Sequence, residues 1–144
     1  MCRIKTVFCS VITALALLGL VSCASVAKEG KEGLVIQVSD NSPSTWNQAL
    51  NVAENVPANY GAPLDVEIVV FGQGMHMLKY DSEVGARLKK AAAGGVGLRA
   101  CGVTSVKRKL AEKDIYPEAG IRVVAAGVGE IMRKQKEGWY VIHP

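Results

Sequence analysis

Residues 34–43 read LVIQVSDNSP and contain a change from one type of secondary structure to another. Leu34 to Val38 is a short apolar run, which is typical of a strand buried in a sheet. Ser42 or Ser44 can cap a helix, and Pro43 suits the first turn of that helix. The stretch therefore predicts a buried strand that leads directly into a helix.

The same alternation continues along the chain. Further apolar strands are predicted over residues 66–71, 96–100, 121–125 and 139–142. After the first helix, which Pro57 and Gly61 end, helices are predicted from Asp81 or Ser82 to Ala93, from Thr104 or Ser105 to about Lys113, and over residues 128–136. This alternation favours a single α/β domain, in which a mostly parallel five-stranded sheet carries helices on both faces.

Ligands of such sheets bind beyond the carboxyl ends of the strands, at the point where the strand order reverses. Three predicted loops lie at those ends, over residues 39–44, 71–76 and 100–105. We therefore expect functional side chains in these three loops.

The first 27 residues have the pattern of a secretory signal peptide. Met1 to Lys5 is positively charged, and Val7 to Val21 is apolar but too short to span a bilayer. Two processing sites are compatible with the sequence. Residues 20–23 (LVSC) resemble a lipobox that would lead to lipidation of Cys23, and residues 25–27 (SVA) suit cleavage by signal peptidase.

Both alternatives place the mature protein in the periplasm. Lipidation of Cys23 would tether it to a membrane, and a residue other than Asp at the next position favours the outer membrane by resemblance to bacterial lipoproteins. Residues 28–32 are then a polar tether, and residues 33–144 form the folded domain.

Export leaves Cys101 as the one cysteine of the folded domain. Cys2 and Cys9 leave with the signal peptide, and Cys23 is removed or lipidated, so no disulfide can form within the domain. Loss of Arg3 and Lys5 also lowers the formal net charge from +4 to +2, which gives no support for a nucleic-acid partner.

Cys101 follows a predicted strand and precedes a predicted helix. Backbone N–H groups of the following turn and the helix dipole would favour its thiolate, and Gly102 allows the chain to turn tightly beside it. Lys107 and Arg108 would lower the pKa further if they face the loop. The alternative is a buried, inert thiol that fills space in the core.

Other residues carry weaker signals. His76 follows the second strand and could act as a proton partner of Cys101, although a surface histidine is the alternative. Asn41 could line the site or help to cap the first helix. Asn47, Asn51 and Asn55 share one helix face, which indicates binding or, more simply, contacts with neighbouring loops. The spacing of histidines and cysteine predicts no metal site, and Gly72 and Gly74 lack the third glycine of a dinucleotide-binding motif, so no cofactor is expected.

Five blocks occur in a fixed order: VIQVSDN at 35–41, FGQG at 71–74, ACGVT at 100–104, VAAGV at 124–128 and GWYVI at 138–142. Together they resemble the exported branch of the DsrE/DsrF-like family, over about residues 33–144. The resemblance implies a flavodoxin-like three-layer fold and homo-oligomers such as trimers or hexamers. In cytoplasmic relatives a cysteine at the position of Cys101 carries sulfur as a persulfide between partner proteins.

The leading hypothesis is therefore an exported sulfur carrier, or a sulfurtransferase-like protein, that exchanges sulfur with a donor or acceptor protein through Cys101. Gly102, Thr104, His76 and Asn41 are the supporting site residues. A non-catalytic binding or assembly module of the same fold and a thiol redox partner are the alternatives, and a nucleotide- or flavin-binding protein is a more distant one.

The lipoprotein alternative predicts that the expressed protein incorporates a lipid label. Cys23→Ala should abolish the labelling, because the lipid is attached to that thiol. Labelling measured by gel autoradiography checks this. A label that stays unchanged in Cys23→Ala would leave cleavage by signal peptidase as the remaining alternative.

Overall fold

The computed structural model describes residues 32–144, and the predicted signal peptide with most of the tether lies outside this range. Five strands form one sheet that is entirely parallel: β1 (Gly33–Val38), β2 (Asp65–Val70), β3 (Gly97–Cys101), β4 (Arg122–Val124) and β5 (Tyr140–Ile142). Their order across the sheet is β4-β3-β2-β1-β5. The single α/β domain of the sequence prediction is confirmed.

Four α-helices connect the strands: α1 (Pro43–Asn59), α2 (Gly85–Ala93), α3 (Gly102–Arg108) and α4 (Gly127–Lys136). Short 3₁₀ turns occur at Gly72–Leu78, Glu112–Asp114 and Pro117–Ala119. No helix within residues 32–144 is long and apolar enough to cross a membrane.

The larger part of the core lies on the sheet face covered by α1 and α2. Alternate strand residues point into it because successive side chains of a strand face opposite sides. Ile36, Ile68 and Leu98 are almost fully buried there against Trp46 and Leu88 from the two helices. This face is continuous across β1, β2 and β3.

The opposite face is covered by α4. Val35 and Val69 pack on Ile131 of this helix, and Trp139 extends the contact. The rest of the face is charged, because Glu67 of β2 and Lys134 of α4 are both buried on it. Helices on both faces complete the predicted three layers.

Two helices begin at other residues than the sequence pattern predicts. The structure has α2 starting at Gly85, because Asp81 to Val84 forms turns in which the N–H of Gly85 donates to the carbonyl of Ser82. It has α3 starting at Gly102, directly after the strand, and ending at Arg108, where Lys109 adopts a left-handed conformation with φ of 55°. The predictions of starts at residues 81–82 and 104–105, and of an end near Lys113, were wrong.

Gly74 provides a test of the packing between the ends of β1 and β2. A Cβ atom there would lie 2.6 Å from the carbonyl oxygen of Val38, which belongs to the rigid end of a central strand. We expect Gly74→Ala to lower the free energy of unfolding by about 1–3 kcal/mol. Urea denaturation of the purified protein measures it.

The matched control is Gly129→Ala in α4. A Cβ atom at this position would have its nearest neighbour at 3.6 Å, an ordinary contact. This variant should gain about 0.5–1 kcal/mol, since alanine loses less backbone entropy than glycine in a helix. Equal effects of the two substitutions would contradict the proposed role of Gly74.

Candidate functional site around Cys101

Cys101 is the last residue of β3 and caps the amino end of α3. Its φ and ψ of −75° and 114° are extended, and the first helical residue follows at once. Its side chain lies on the α4 face of the sheet, since the preceding Ala100 belongs to the core on the other face. The reversal of strand order lies between β1 and β5, so the site is two strands away from the position that the general rule for such sheets favours.

The Cys101 side chain is only 5% exposed, although the end of a strand favours exposure. Burial is the largest single influence on the thiol and raises its pKa. The Thr104 hydroxyl and the nearby backbone N–H groups of Gly127, Thr104 and Val103 favour the charged sulfur and outweigh burial, so the pKa of Cys101 lies below its usual value. These surroundings favour the thiolate over the thiol.

Thr104 connects two of the predicted loops. Its Oγ1 accepts a hydrogen bond of 3.2 Å from the backbone N–H of Gly72, at the end of β2. The proton of the Thr104 hydroxyl is therefore free to point at the sulfur of Cys101. Gly72 reaches this position with a φ of 57°, a conformation that favours glycine. The loops after β2 and β3 thus meet at the thiol, as their position predicts.

Gly127 supplies a donor that the sequence analysis did not identify. It begins α4, and a Cβ atom there would lie 3.3 Å from the Cβ of Cys101 and 3.2 Å from that of Phe71. A side chain would push α4 away from the sulfur. The signal in the sequence was a glycine two residues after the predicted strand 121–125, within the block of residues 124–128 that contributed to the family resemblance.

Gly102 has a comparable steric role on the other side of Cys101. A Cβ atom at Gly102 would lie 2.9 Å from the carbonyl oxygen of Val124. The absence of a side chain therefore lets α3 start close to β4, where the N–H of Val103 also donates to the carbonyl of Ala125 at 3.2 Å.

His76 and Arg108 form a pair of their own. Their Nε2 and Nη1 atoms are 3.3 Å apart, and both residues line a small cavity with Lys79 and Leu110. The groups that lower the Cys101 pKa are the Thr104 hydroxyl and backbone N–H groups rather than the cations Lys107 and Arg108. The role of His76 as a proton partner of Cys101 stays a prediction.

Asn41 lies exposed at the end of β1. Its neighbour Asp40 orders this loop: its carboxylate accepts a hydrogen bond of 2.9 Å from the N–H of Ser42, and its carbonyl accepts one of 3.0 Å from the Trp46 indole. Ser42 also caps α1 through its hydroxyl, which accepts from the N–H of Thr45 at 3.4 Å. The participation of Asn41 in the site stays a prediction.

The asparagine-bearing face of α1 packs against α2. Arg87 donates to the side-chain oxygen of Asn47 at 2.7 Å and to that of Asn51 at 2.8 Å, and it also contacts Glu54. Asn47 and Asn51 therefore hold a neighbouring helix, and not a loop as the simpler of the predicted roles had it. Within residues 32–144, no group of three or more His, Cys, Asp or Glu residues is arranged to hold a metal ion.

Removal of the Thr104 hydroxyl should make Cys101 harder to ionise. We expect Thr104→Val to raise the pKa of the thiol, measured as the midpoint of the pH dependence of its alkylation. The control is Ser105→Ala, because the Ser105 hydroxyl donates to the carbonyl of Cys101 at 3.1 Å and not to the sulfur. An equal shift in both variants would contradict the assignment of Thr104.

The same substitution should change the pH dependence of stability. The lowered pKa of folded Cys101 contributes stability that is fully present above the pKa of the unfolded thiol and is lost as pH falls through the folded value. Thr104→Val should therefore lose part of its stability at alkaline pH beyond any loss seen at neutral pH.

Comparison with known proteins places this geometry in a family. MTH1491 of Methanobacterium thermoautotrophicum, described as a protein of unknown function, has a similar structure, with a TM-score of 0.74 and 27% sequence identity over 79% of this chain and 100% of its own. BT1422 of Bacteroides thetaiotaomicron, a conserved protein of unknown function, matches with a TM-score of 0.64 and 19% identity over 78% of this chain and 94% of its own, which shows the fold alone.

No curated protein matches the chain. The sequence model of the DsrE/DsrF-like family, in contrast, matches residues 31–144, which include all the described strands and helices. The resemblance carried by the five sequence blocks is thereby confirmed: the chain belongs to the DsrE/DsrF-like family.

Proposed function

We propose that this protein carries sulfane sulfur as a persulfide on Cys101. The observation that supports the proposal best is the position of the buried Cys101 thiol between the starts of α3 and α4, where the Thr104 hydroxyl and neighbouring backbone N–H groups lower its pKa. Membership in a family of the sulfur-relay type gives independent support. Cys101 is the nucleophile in this proposal, and Thr104 with the N–H group of Gly127 stabilises its charge.

Loading requires no oxidant. The Cys101 thiolate attacks the outer sulfur of a donor persulfide, a new S–S bond forms at Cys101, and the S–S bond of the donor breaks. The rest of the donor leaves as a thiolate, and the transferred outer sulfur keeps its proton. The lowered pKa of Cys101 raises the fraction of thiolate at a given pH and so favours this step, because the thiolate and not the thiol is the nucleophile.

Unloading is the same exchange in reverse. An acceptor thiolate attacks the outer sulfur of the persulfide, and Cys101 is the leaving group. The groups that lower the Cys101 pKa also stabilise the negative charge that develops on its sulfur, and a leaving group of lower pKa departs faster. The same groups therefore assist both half-reactions, which is what a carrier or a sulfurtransferase-like protein requires.

One observation favours the second candidate function, a non-catalytic binding or assembly module. With the side chain of Cys101 5% exposed, a protein-sized donor reaches the sulfur only if the surroundings of the thiol move. A thiol redox partner would need the same access. Native alkylation separates the candidates, since an assembly module needs no reaction at Cys101.

The setting of this function is part of the proposal. The sequence of residues 1–27 supports export to the periplasm, with a lipid on Cys23 or cleavage near residue 27. A homo-oligomer and a separate donor or acceptor protein are the partners that the family resemblance implies. Size-exclusion chromatography with light scattering tests the first of these.

The carrier function predicts that the mature protein gains one sulfur atom when it is incubated with a persulfide donor. Intact-mass spectrometry should show the gain in the wild type and its loss on treatment with a reductant. Cys101→Ser should show no gain, because its hydroxyl is not ionised at neutral pH. Thr104→Val is the matched intermediate case, since it keeps the thiol and should load more slowly.

A wild-type protein that never gains sulfur, while its Cys101 is alkylated in the native state, would contradict the carrier function and favour a redox role. A Cys101 that resists both reactions would favour the assembly module. A folded Cys101→Ser variant, confirmed by an unchanged far-ultraviolet circular dichroism spectrum, is needed for either conclusion.

A further inference from the structure

A cavity of about 310 Å³ lies on the same face of the sheet as Cys101, between the β3–β4 edge and α4. It exists because α4 packs over β1, β2, β3 and β5, whereas Arg122 and Val123 of β4 are exposed. Its walls include two valines of β4 and six charged side chains: Glu67, Arg99, Arg122, Glu130, Arg133 and Lys134.

Positive charge exceeds negative charge in this cavity, with four cations against two carboxylates. Arg99 and Lys134 share a single oxygen of Glu67, at 2.6 Å and 3.1 Å. A single carboxylate therefore pairs with two largely buried cations. The positive charge that it does not compensate lies where water screens it poorly. Such a recess attracts anions.

Arg122 is the cation of this cavity that is available to a ligand. Arg133 is held by Glu130 and Glu137. The guanidinium of Arg122, in contrast, has no hydrogen-bond or ion-pair partner within the described part of the chain. A guanidinium binds a carboxylate through two parallel hydrogen bonds, and an exposed one that lacks such a partner can bind the carboxylate of a ligand.

The register of the sheet fixes the backbone of Arg122 relative to that of Cys101, which lies beside the cavity and does not line it. Arg122 is paired with Arg99, and Val124 is paired with Cys101. Along the strand direction, the Cα atoms of both arginines therefore lie two residues before the Cα atom of Cys101, or roughly 7 Å. Along α4, Arg133 lies six residues after Gly127, or roughly 9 Å from the helix start beside the sulfur.

Sulfur donors differ in the distance between their anionic end and their sulfane sulfur. In an inorganic thiosulfonate group the two are joined by one S–S bond of roughly 2 Å, so the sulfur stays close to the group that holds the anion. In an amino-acid-derived persulfide, several single bonds of about 1.5 Å separate the carboxylate from the outer sulfur. Val124 is paired with Cys101 and is half-buried, so its side chain lies on the same face as the sulfur and provides an apolar contact for the intervening carbons.

We propose that this cavity binds the carboxylate of a low-molecular-weight organic persulfide through Arg122, and that the bound molecule delivers its outer sulfur to Cys101. The inference rests on the proposed carrier function and adds the class of donor to it. The exchange is the one described above: the S–S bond of the persulfide breaks, a new one forms on Cys101, and the small thiolate leaves.

The test compares two donors that differ only in charge: the persulfide of N-acetylcysteine and the persulfide of its carboxamide. Sulfur uptake by the mature full-length protein is followed by intact-mass spectrometry. Arg122→Gln should lower the rate constant with the carboxylate donor about tenfold, the effect of losing one charge-assisted hydrogen bond. It should leave the rate constant with the carboxamide unchanged, and Arg122→Lys should retain part of the preference.

Lys136→Gln is the matched control. It removes one positive charge from an exposed position of α4 that does not line the cavity, and it should change neither rate. The inference would be overturned if Arg122→Gln kept an unchanged preference for the carboxylate donor. It would also be overturned if thiosulfate loaded the wild type as fast as the carboxylate donor does. In both cases the carrier function would stand. A wild type that takes sulfur from neither persulfide would overturn the carrier function itself.

Discussion

The pairing of β1 with β2 is the constraint on which the rest of the structure depends. Six residues of each strand are in parallel register, and Val35, Ile36, Ile68 and Val69 are fully buried although they point to both faces. Such a pair can only exist with a layer on each side, so it requires α1 and α2 on one face and α4 on the other. It also fixes where β3 begins and ends, and with it the position of Cys101.

The site itself is a balance between burial and hydrogen bonding. A buried thiol without donors would stay protonated, whereas the sulfur of Cys101 is surrounded by N–H and O–H groups from the start of α3 and the start of α4. These groups come from segments that the sheet brings together, since β4 lies beside β3 and α4 follows β4. Small residues make the approach possible: Gly102 and Gly127 stand where a side chain would meet backbone or core atoms.

Sequence patterns predict the fold and one half of this site. The apolar run that ends at Ala100 places Cys101 at the end of a strand, and Thr104 follows one helical turn later, so its proximity to the thiol is local. The contribution of Gly127 depends on which strand lies beside β3, and periodicity carries no information about strand order. The pairing of Arg108 with His76, and of Arg87 with the asparagines of α1, depends on how elements pack, which a single sequence does not specify.

The short edge strand β4 has a consequence for the reactivity of the thiol. It has three residues and one neighbouring strand, and Arg122 and Val123 are exposed, so its local unfolding should cost less free energy than unfolding of the central strands. Fraying of β4 would carry the N–H of Gly127 away from the sulfur and uncover it at the same moment. The closed state then holds a shielded sulfur with a lowered pKa, and the open state an accessible sulfur that has lost the contribution of Gly127. In the proposed carrier, the closed state of this sheet edge would store the sulfur atom and the open state would exchange it. The equilibrium between the two states would then set the exchange rate.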